Sequence, residues 1–542
     1  MNPAEGPSSG KPNPFYKPAF GTVVRRQFLG LMAATFGWTM LSPASAQDAT
    51  GKGKGKGGKG GKGGGDDQSK ARGPVFQGEY VLPESLAEYS KLSLIFGRAT
   101  ERAITASFVP ASTLEAFLEI GTAKGKYTRK TSVTQLPSGK ATEVVIDGLS
   151  PNTEYFYRLN YRKPGAGNYT QRAEARFATQ KAPGSSFVFT IQGDSHPERP
   201  QSSHPDLYAR TLATAAADKP DFHICIGDDF SIERIRTITD TNCAVPYLLQ
   251  RPFLGLVGSV GQVFLMNGNH EQASLFNFSQ KDERHDVAVG VQKARNQLYP
   301  LPGNEGIYTG AVEPFKDIGA LKSYCAWTWG DALFVLLDNY WHSPVLVDSG
   351  FGGKGGKGEK GDDKKNRDWW GITIGDAQYH WLKKTLETSK AKHKFVFAHH
   401  VLGSGRGGVD EADLYEWGGS GKKGEGSFKE KRPGWELPIH QLMVKHKVSV
   451  FFQGHDHLYC QQEKDGIIYQ ELPMPSDHGY VAYNEDRYQS GKKLPSAGYI
   501  RVTVTAASAK VEYVRCFLPK DETKEAQQGM IAHAYEVKAK NA

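Results

Sequence analysis

The chain has 542 residues, 38% of them hydrophobic and 11% aromatic, which is enough for two or three domains with apolar cores. Its net charge of +9 sits mainly in three lysine-rich stretches, 51–65, 350–368 and 418–432. The rest is near neutral, so the charge balance gives no argument for a nucleic-acid-binding face, and no nucleic-acid partner is expected.

The N-terminus has the layout of an export signal. Arg25-Arg26-Gln27-Phe28-Leu29 is a twin-arginine pattern, a mildly apolar stretch runs from Leu29 to Leu41, and Ala44-Ser45-Ala46 offers a small-residue cleavage site. This order predicts a twin-arginine signal over 1–46 and a periplasmic or secreted protein. The apolar stretch is too short and too polar for a stable membrane anchor, and no other segment has the length to span a bilayer. Residues 47–75 form a Gly/Lys-rich linker with Lys52, Lys54, Lys56, Lys59 and Lys62, a composition that stays solvated and does not fold.

Residues 76–180 are expected to be all-β. Strands are predicted at 104–108, 114–120, 142–146 and 155–159, with turns spaced as in a small β-sandwich. Leu149-Ser150-Pro151-Asn152-Thr153-Glu154-Tyr155 is similar to the tyrosine-corner segment of fibronectin type III domains. No residue here suggests chemistry, so the region is read as structural or as part of the substrate rim.

From 181 to 542 the pattern changes to strands alternating with helices. Buried strands are predicted at 187–191, 222–226, 263–266, 332–338, 394–398 and 448–452, a helix at 377–386, and an antiparallel pair at 499–504 and 510–514. The heptamer Gly-Gly-Lys-Gly-Gly-Lys-Gly occurs at 57–63 and again at 352–358. The second copy marks a surface insertion near 350–368, and another low-complexity insertion is expected near 418–432. These stretches read either as tolerated flexible loops or as weak attachment points for an anionic envelope polymer. The five cysteines, Cys225, Cys243, Cys325, Cys460 and Cys516, show no Cys-x-x-Cys spacing, so no thiolate zinc site is indicated. Cys225 and Cys325 fall in apolar runs and read as core residues, while the sequence leaves open one disulfide.

Five short motifs follow apolar runs in a fixed order. They are Gly193-Asp194-Ser195-His196, Gly227-Asp228-Asp229, Gly268-Asn269-His270-Glu271, His399-His400 and Gly454-His455-Asp456-His457. Carboxylate and amide oxygens with imidazole nitrogens are the donor types that divalent metals take. Seven such donors from five strand ends can hold two metal ions around a shared carboxylate. At the carboxyl ends of strands they converge on one edge of a sheet.

In order and spacing these motifs resemble the calcineurin-like metallophosphoesterase superfamily, with its purple acid phosphatase-like branch as the nearest layout. The resemblance covers most of 76–542. It implies a four-layer α/β/β/α sandwich preceded by the fibronectin type III-like domain. It also implies two di- or trivalent metal ions, of iron, manganese or zinc. Carried over position by position, Asp194, His196 and His457 hold the first ion. Asn269, His399 and His455 hold the second, and Asp228 bridges both. The branch places a tyrosinate ligand where this chain has Ser231 and lacks the imidazole supplied here by His196. This departure from the branch removes the basis for a tyrosinate–iron chromophore.

His270 follows a ligand directly and is the candidate for contact with the phosphate or assistance to the leaving group. Glu271 is expected to brace His270 or a ligand from behind. His400 either faces the substrate as a second catalytic candidate or packs in the core. Asp456 is expected to point away from its two flanking histidines. In the glycine-rich loop after His400, Arg406 is the substrate-binding candidate, with Tyr415 and Trp417 as rim residues. The expected activity is hydrolysis of phosphate monoesters by an exported, acid phosphatase-like enzyme, with attack by a metal-bridging hydroxide on a small phosphorylated substrate. Phosphodiesterase or nucleotidase action at the same site is the alternative, and an inactive surface-binding protein is the rival of another class.

Overall fold

The computed structural model describes residues 82–540 except 198, 233–234, 236, 274–282, 313, 346, 348–367, 404 and 425. The twin-arginine segment 1–46, the linker 47–75 and all of the 350–368 insertion except Asp368 lie outside the described residues. Among the described residues, no helix is long and apolar enough to cross a membrane.

In chain order the principal strands are β1 (Leu92–Gly97), β2 (Ile104–Pro110), β3 (Leu114–Gly121), β4 (Thr142–Ile146), β5 (Glu154–Arg162), β6 (Ala175–Ala178), β7 (Phe187–Gln192), β8 (Phe222–Cys225) and β9 (Gln262–Leu265). They continue with β10 (Cys325–Trp329), β11 (Ala332–Leu336), β12 (His393–Phe397), β13 (Val450–Gln453), β14 (Tyr459–Lys464), β15 (Ile467–Glu471), β16 (Gly498–Val504), β17 (Ser508–Arg515) and β18 (Ile531–Lys538). The main helices are α1 (Pro205–Ala217), α2 (Asp240–Gly258), α3 (Glu283–Leu298), α4 (Asp376–Thr388) and α5 (Ile439–Lys445).

Two large sheets face each other. The first runs β18-β17-β16-β7-β8-β9-β1-β2-β4. The second contains β10-β11-β12-β13-β15-β14, with short strands Thr309–Gly310 and Lys492–Leu494 at its edges. The centres of both are parallel: β7, β8 and β9 in one, and β11, β12, β13 and β15 in the other. Such strands are buried on both faces, which explains their near-continuous apolar runs. Between the sheets lies an aromatic core of Phe189, Phe222, Phe264, Phe334, Phe395 and Phe452. On the outer face of the first sheet, Leu207, Leu212, Phe253, Leu254 and Val291 from α1, α2 and α3 pack on Cys225, Val263 and Leu265. On the outer face of the second, Tyr379, Leu382, Leu386, Ile439 and Leu442 from α4 and α5 pack on Val396 and Phe451. This is the expected α/β/β/α layering.

The predicted strands and the helix at 377–386 all form, with ends shifted by a few residues. The pair at 499–504 and 510–514 is antiparallel, with Val502 opposite Val511. The N-terminal β region differs in one respect. β1, β2 and β4 are not a free-standing sheet, because β1 pairs in parallel with β9 at Phe96 and Gln262 and so extends the first catalytic sheet. A separate sheet of β3, β5, β6 and shorter strands packs on it, with Leu118, Tyr157 and Phe177 in one buried cluster with Leu94, Phe96 and Ala106. Tyr155 Oη accepts a 2.7 Å hydrogen bond from the Ser150 backbone N–H.

The stretch 418–432 does not behave as a loose lysine-glycine loop. Phe428 is buried in the outer core, and Arg432 donates to Glu416 Oε2 at 2.8 Å and to the Trp370 carbonyl at 2.6 Å. All five cysteines are buried and unpaired, so the disulfide left open by the sequence does not form.

Candidate metal centre

The parallel strands end at one edge of the two sheets, and the predicted ligands follow those ends. Asp194 comes after β7, Asp228 after β8, Asn269 after β9, His399 after β12 and His455 after β13. The loops that carry them make tight turns. His196, Asp228, His455 and His457 all have positive φ, at 39°, 59°, 78° and 61°. Non-glycine residues adopt this region at a cost, and such strain clusters at functional sites. Two glycines allow the loops to meet. A Cβ on Gly268 would overlap the Asp228 carboxylate, and one on Gly454 would stand 2.6 Å from Asp194 Oδ2.

Donor atoms of Asp194, His196, Asp228 and His457 all lie within 4.8 Å of one another, as do those of Asp228, His399 and His455. Asp228 belongs to both groups, as a bridging ligand must. Asn269 joins the second group, since its Oδ1 lies 3.1 Å from His399 Nε2 and 2.9 Å from His455 Nδ1. Across the clusters, His399 Nε2 stands 3.3 Å from Asp228 Oδ2 and 3.7 Å from Asp194 Oδ1, and His457 Nε2 is 3.5 Å from Asp194 Oδ1. Ligands on a common cation at about 2.0–2.2 Å are separated by roughly these distances. The seven predicted ligands are thus brought together in two groups around one carboxylate, an arrangement that fits two divalent ions.

The electrostatics agree. Burial alone would depress the His399 imidazole, but Asp228 and Asp194 outweigh it and push its pKa up to about 10, so the two carboxylates favour a positive charge at this point, which a proton holds without metal and a bound cation would take over. Burial, followed by Arg199, holds His196 well below the usual histidine range, and burial with Arg406 does the same for His455. Neutral imidazoles keep the lone pair that a metal needs. His399 Nδ1 lies 3.1 Å from the Ile226 carbonyl, which accepts its proton and leaves Nε2 for the ligand position.

Glu271 lies on the single π-helical turn Asn269–Ala273 and braces the ligands from beneath. Its carboxylate accepts from the backbone N–H groups of Asp228 (2.9 Å), Asp229 (2.7 Å), Phe230 (2.9 Å) and Gly268 (2.6 Å). Burial and the nearby Asp228 raise its pKa to about 7. Glu271→Gln turns an NH2 group toward two of those four donors. We expect metal affinity to fall roughly 10–100-fold, the usual cost of losing a ligand-orienting partner, with turnover recovering at saturating metal. Titration of metal-stripped enzyme with Mn2+ or Zn2+, followed by activity, checks this, and an unchanged titration midpoint would count against the bracing role.

His270 lies at the mouth of the centre. Its backbone N–H donates to Asp228 Oδ1 at 2.9 Å, and its ring meets that of His196 edge-on at 4.8 Å. Arg199 Nη2 stands 2.8 Å from His270 Nε2. Arg199 was not singled out by sequence reasoning. The signal available was its place in the loop that leaves the Asp194-Ser195-His196 motif.

Two expected site residues are placed elsewhere. His400 is fully buried with Nε2 turned toward Asp456 and Glu471, so it does not face substrate. Adjacent residues at a strand end point to opposite sides, and His399 has the inner one. Arg406 is engaged by protein rather than open to substrate, since it ion-pairs with Asp456 and donates to the His455 carbonyl at 3.2 Å. Tyr415 and Trp417 are core rather than rim. Trp417 packs on Phe451 at 5.1 Å, and Tyr415 stacks on Trp369 at 5.8 Å.

A buried double cluster of Asp, His and Asn donors at the edge of an α/β/β/α sandwich defines a metal-dependent hydrolase. The calcineurin-like phosphoesterase family model matches residues 187–459, half of the chain, and the chain belongs to that family. It is therefore a phosphoric ester hydrolase that uses divalent metal. Among solved structures, that of PhoD aligns with a TM-score of 0.55 at 14% identity, covering 80% of this chain and 86% of that one, which shows a shared fold. GAP50, the anchor in the inner membrane complex of Plasmodium, aligns at 11% identity over 66% of this chain and 89% of its own, with a TM-score of 0.35 too low to bear on the fold. No protein of curated function matches the chain in sequence.

Proposed function

We propose that this chain is an exported dinuclear phosphomonoesterase of the acid-phosphatase type, with two ions drawn from iron, manganese and zinc. The observation that carries the reading is the shared position of Asp228 in both donor groups. Two ions held there supply an activated water and neutralise charge on the phosphoryl group. Arg199 gives the mouth of the site a guanidinium suited to a charged phosphate oxygen. Arg199 has only N–H groups to offer, so His270 Nε2 accepts in their contact. A phosphate that draws Arg199 to itself frees His270 Nε2 to hold a proton near the departing alcohol.

Export rests on the twin-arginine pattern, and the fibronectin type III-like reading of the N-terminal β region on the Tyr155–Ser150 contact. Envelope attachment through the lysine-glycine stretches has only their charge in its favour. The test of substrate class is turnover of a mono-aryl phosphate against a bis-aryl phosphate at equal concentration. The monoester is expected to be the better substrate by at least about tenfold, a difference of roughly 1.4 kcal/mol in the barrier. Preference for the diester would replace this reading with a phosphodiesterase at the same site.

A further inference from the structure

A second set of metal-type donors is buried behind the dinuclear cluster. Along β12, Phe395 and Phe397 face the core between the sheets, while Val396 and Ala398 face the outer core. The alternation runs past the strand end, sending His399 to the inner cluster and His400 to the outer face. His455 and Asp456 divide in the same way. Glu471 ends β15, in register with Gln453 of β13. Three neighbouring strand ends thus bring His400, Asp456 and Glu471 to one point, all with 0% exposure and with donor atoms within 4.8 Å of one another.

Their spacing is compatible with that of ligands on one ion. His400 Nε2 lies 3.4 Å from Asp456 Oδ2 and 3.7 Å from Glu471 Oε2, matching the 3.3 to 3.7 Å separations in the dinuclear cluster. Four tetrahedral ligands about 2.0–2.2 Å from a zinc ion stand roughly 3.3–3.6 Å apart. His400 Nε2 and Glu471 Oε2 have no hydrogen-bond partner, an unfavourable state for fully buried polar atoms. The remaining atoms are already oriented. His400 Nδ1 lies 3.1 Å from the Val401 carbonyl, and Glu471 Oε1 accepts from Asp456 N at 3.1 Å. Asp456 Oδ1 takes Arg406, and Oδ2, the oxygen that faces His400, also accepts from Tyr488 Oη at 2.8 Å and Gly407 N at 3.2 Å.

We propose that His400, Asp456 and Glu471 hold a third divalent ion of the zinc class, with the Tyr488 hydroxyl as the neighbouring oxygen. One imidazole with carboxylates is a donor set that zinc accepts. The site is closed, so the ion is structural. It fastens the loop carrying Arg406 and Gly407 to the loop carrying His455 and His457, and so holds two catalytic ligands in place.

The test is metal content per chain in full-length protein stripped with chelator, refilled with Zn2+ and desalted. Unmodified protein is expected to retain one equivalent more than Glu471→Gln or His400→Gln. In an Asp194→Asn/His399→Gln background, which disables the dinuclear centre, the same one-equivalent difference on adding Glu471→Gln is expected. The third site is therefore read independently of the first two. Crystals of unmodified protein should show an anomalous peak at the zinc edge between the three side chains, which decides the matter even if the variants fail to fold. Equal metal content with and without Glu471→Gln, or no anomalous peak there, would mean that the three residues share protons and no metal.

Discussion

Replacing Asp228 by Asn should abolish phosphoesterase activity while leaving the protein folded. Asp228 contributes to both donor groups, with Oδ2 at 3.3 Å from His399 Nε2 and 3.5 Å from His196 Nε2. Two neighbouring cations repel each other, and a bridging carboxylate offsets that repulsion in a way a neutral amide does not. Burial alone would raise the Asp228 pKa, but the facing imidazoles of His399 and His270 hold it well below the usual carboxylate range, so a full negative charge is lost. We expect kcat/KM to fall by at least about 10³-fold, or about 4 kcal/mol of transition-state stabilisation. The amide keeps the shape, and its oxygen can still accept from the His270 N–H now held by Oδ1 at 2.9 Å. Circular dichroism and melting temperature of the metal-free forms should therefore stay close to wild type. Near-wild-type turnover with both ions bound would remove Asp228 from the bridging position.

Much of this site could be read in the sequence because it is built from strand ends. A buried parallel strand announces itself as an apolar run, and a ligand placed just beyond it has little freedom to end anywhere but the common edge. Asp194 after Phe187–Gln192 and His399 after His393–Phe397 are of this kind. Residues on longer loops were harder. Arg406 lies in a glycine-rich loop whose path depends on tertiary contacts, and its partner Asp456 is distant in sequence. Arg199 reaches His270 across 71 residues, and its one mark in the sequence is its place in the loop after Asp194-Ser195-His196. His400 was ambiguous for another reason. Its neighbour His399 fixed that one of the pair would ligate, but not what the opposite face of the strand end would meet. The answer required Glu471, which has no motif of its own and lies at the end of a strand paired with Val450–Gln453. The joining of β1 to β9 was equally hidden, because a single parallel contact between Phe96 and Gln262 leaves no periodic trace in either segment.

His270→Ala should slow hydrolysis of alkyl phosphates by about 10²-fold or more, and that of activated aryl phosphates much less. An alkoxide is a poor leaving group and needs a proton as the P–O bond breaks, whereas a nitrophenolate departs without one. His270 is placed for this task, with its backbone fixed on Asp228 Oδ1 and its ring held edge-on by His196 at 4.8 Å. Its Nε2 is 3.7 Å from Asp228 Oδ2, beside the bridging position without joining the ligands. The measurement is kcat/KM for wild type and variant across phosphate esters of graded leaving-group pKa. A steeper dependence on leaving-group pKa in the variant is the expected result. A uniform loss across the series would assign His270 to holding the phosphate together with Arg199, because positioning affects every ester alike. No loss at all would make the ring a packing partner of His196 and leave leaving-group protonation to another residue.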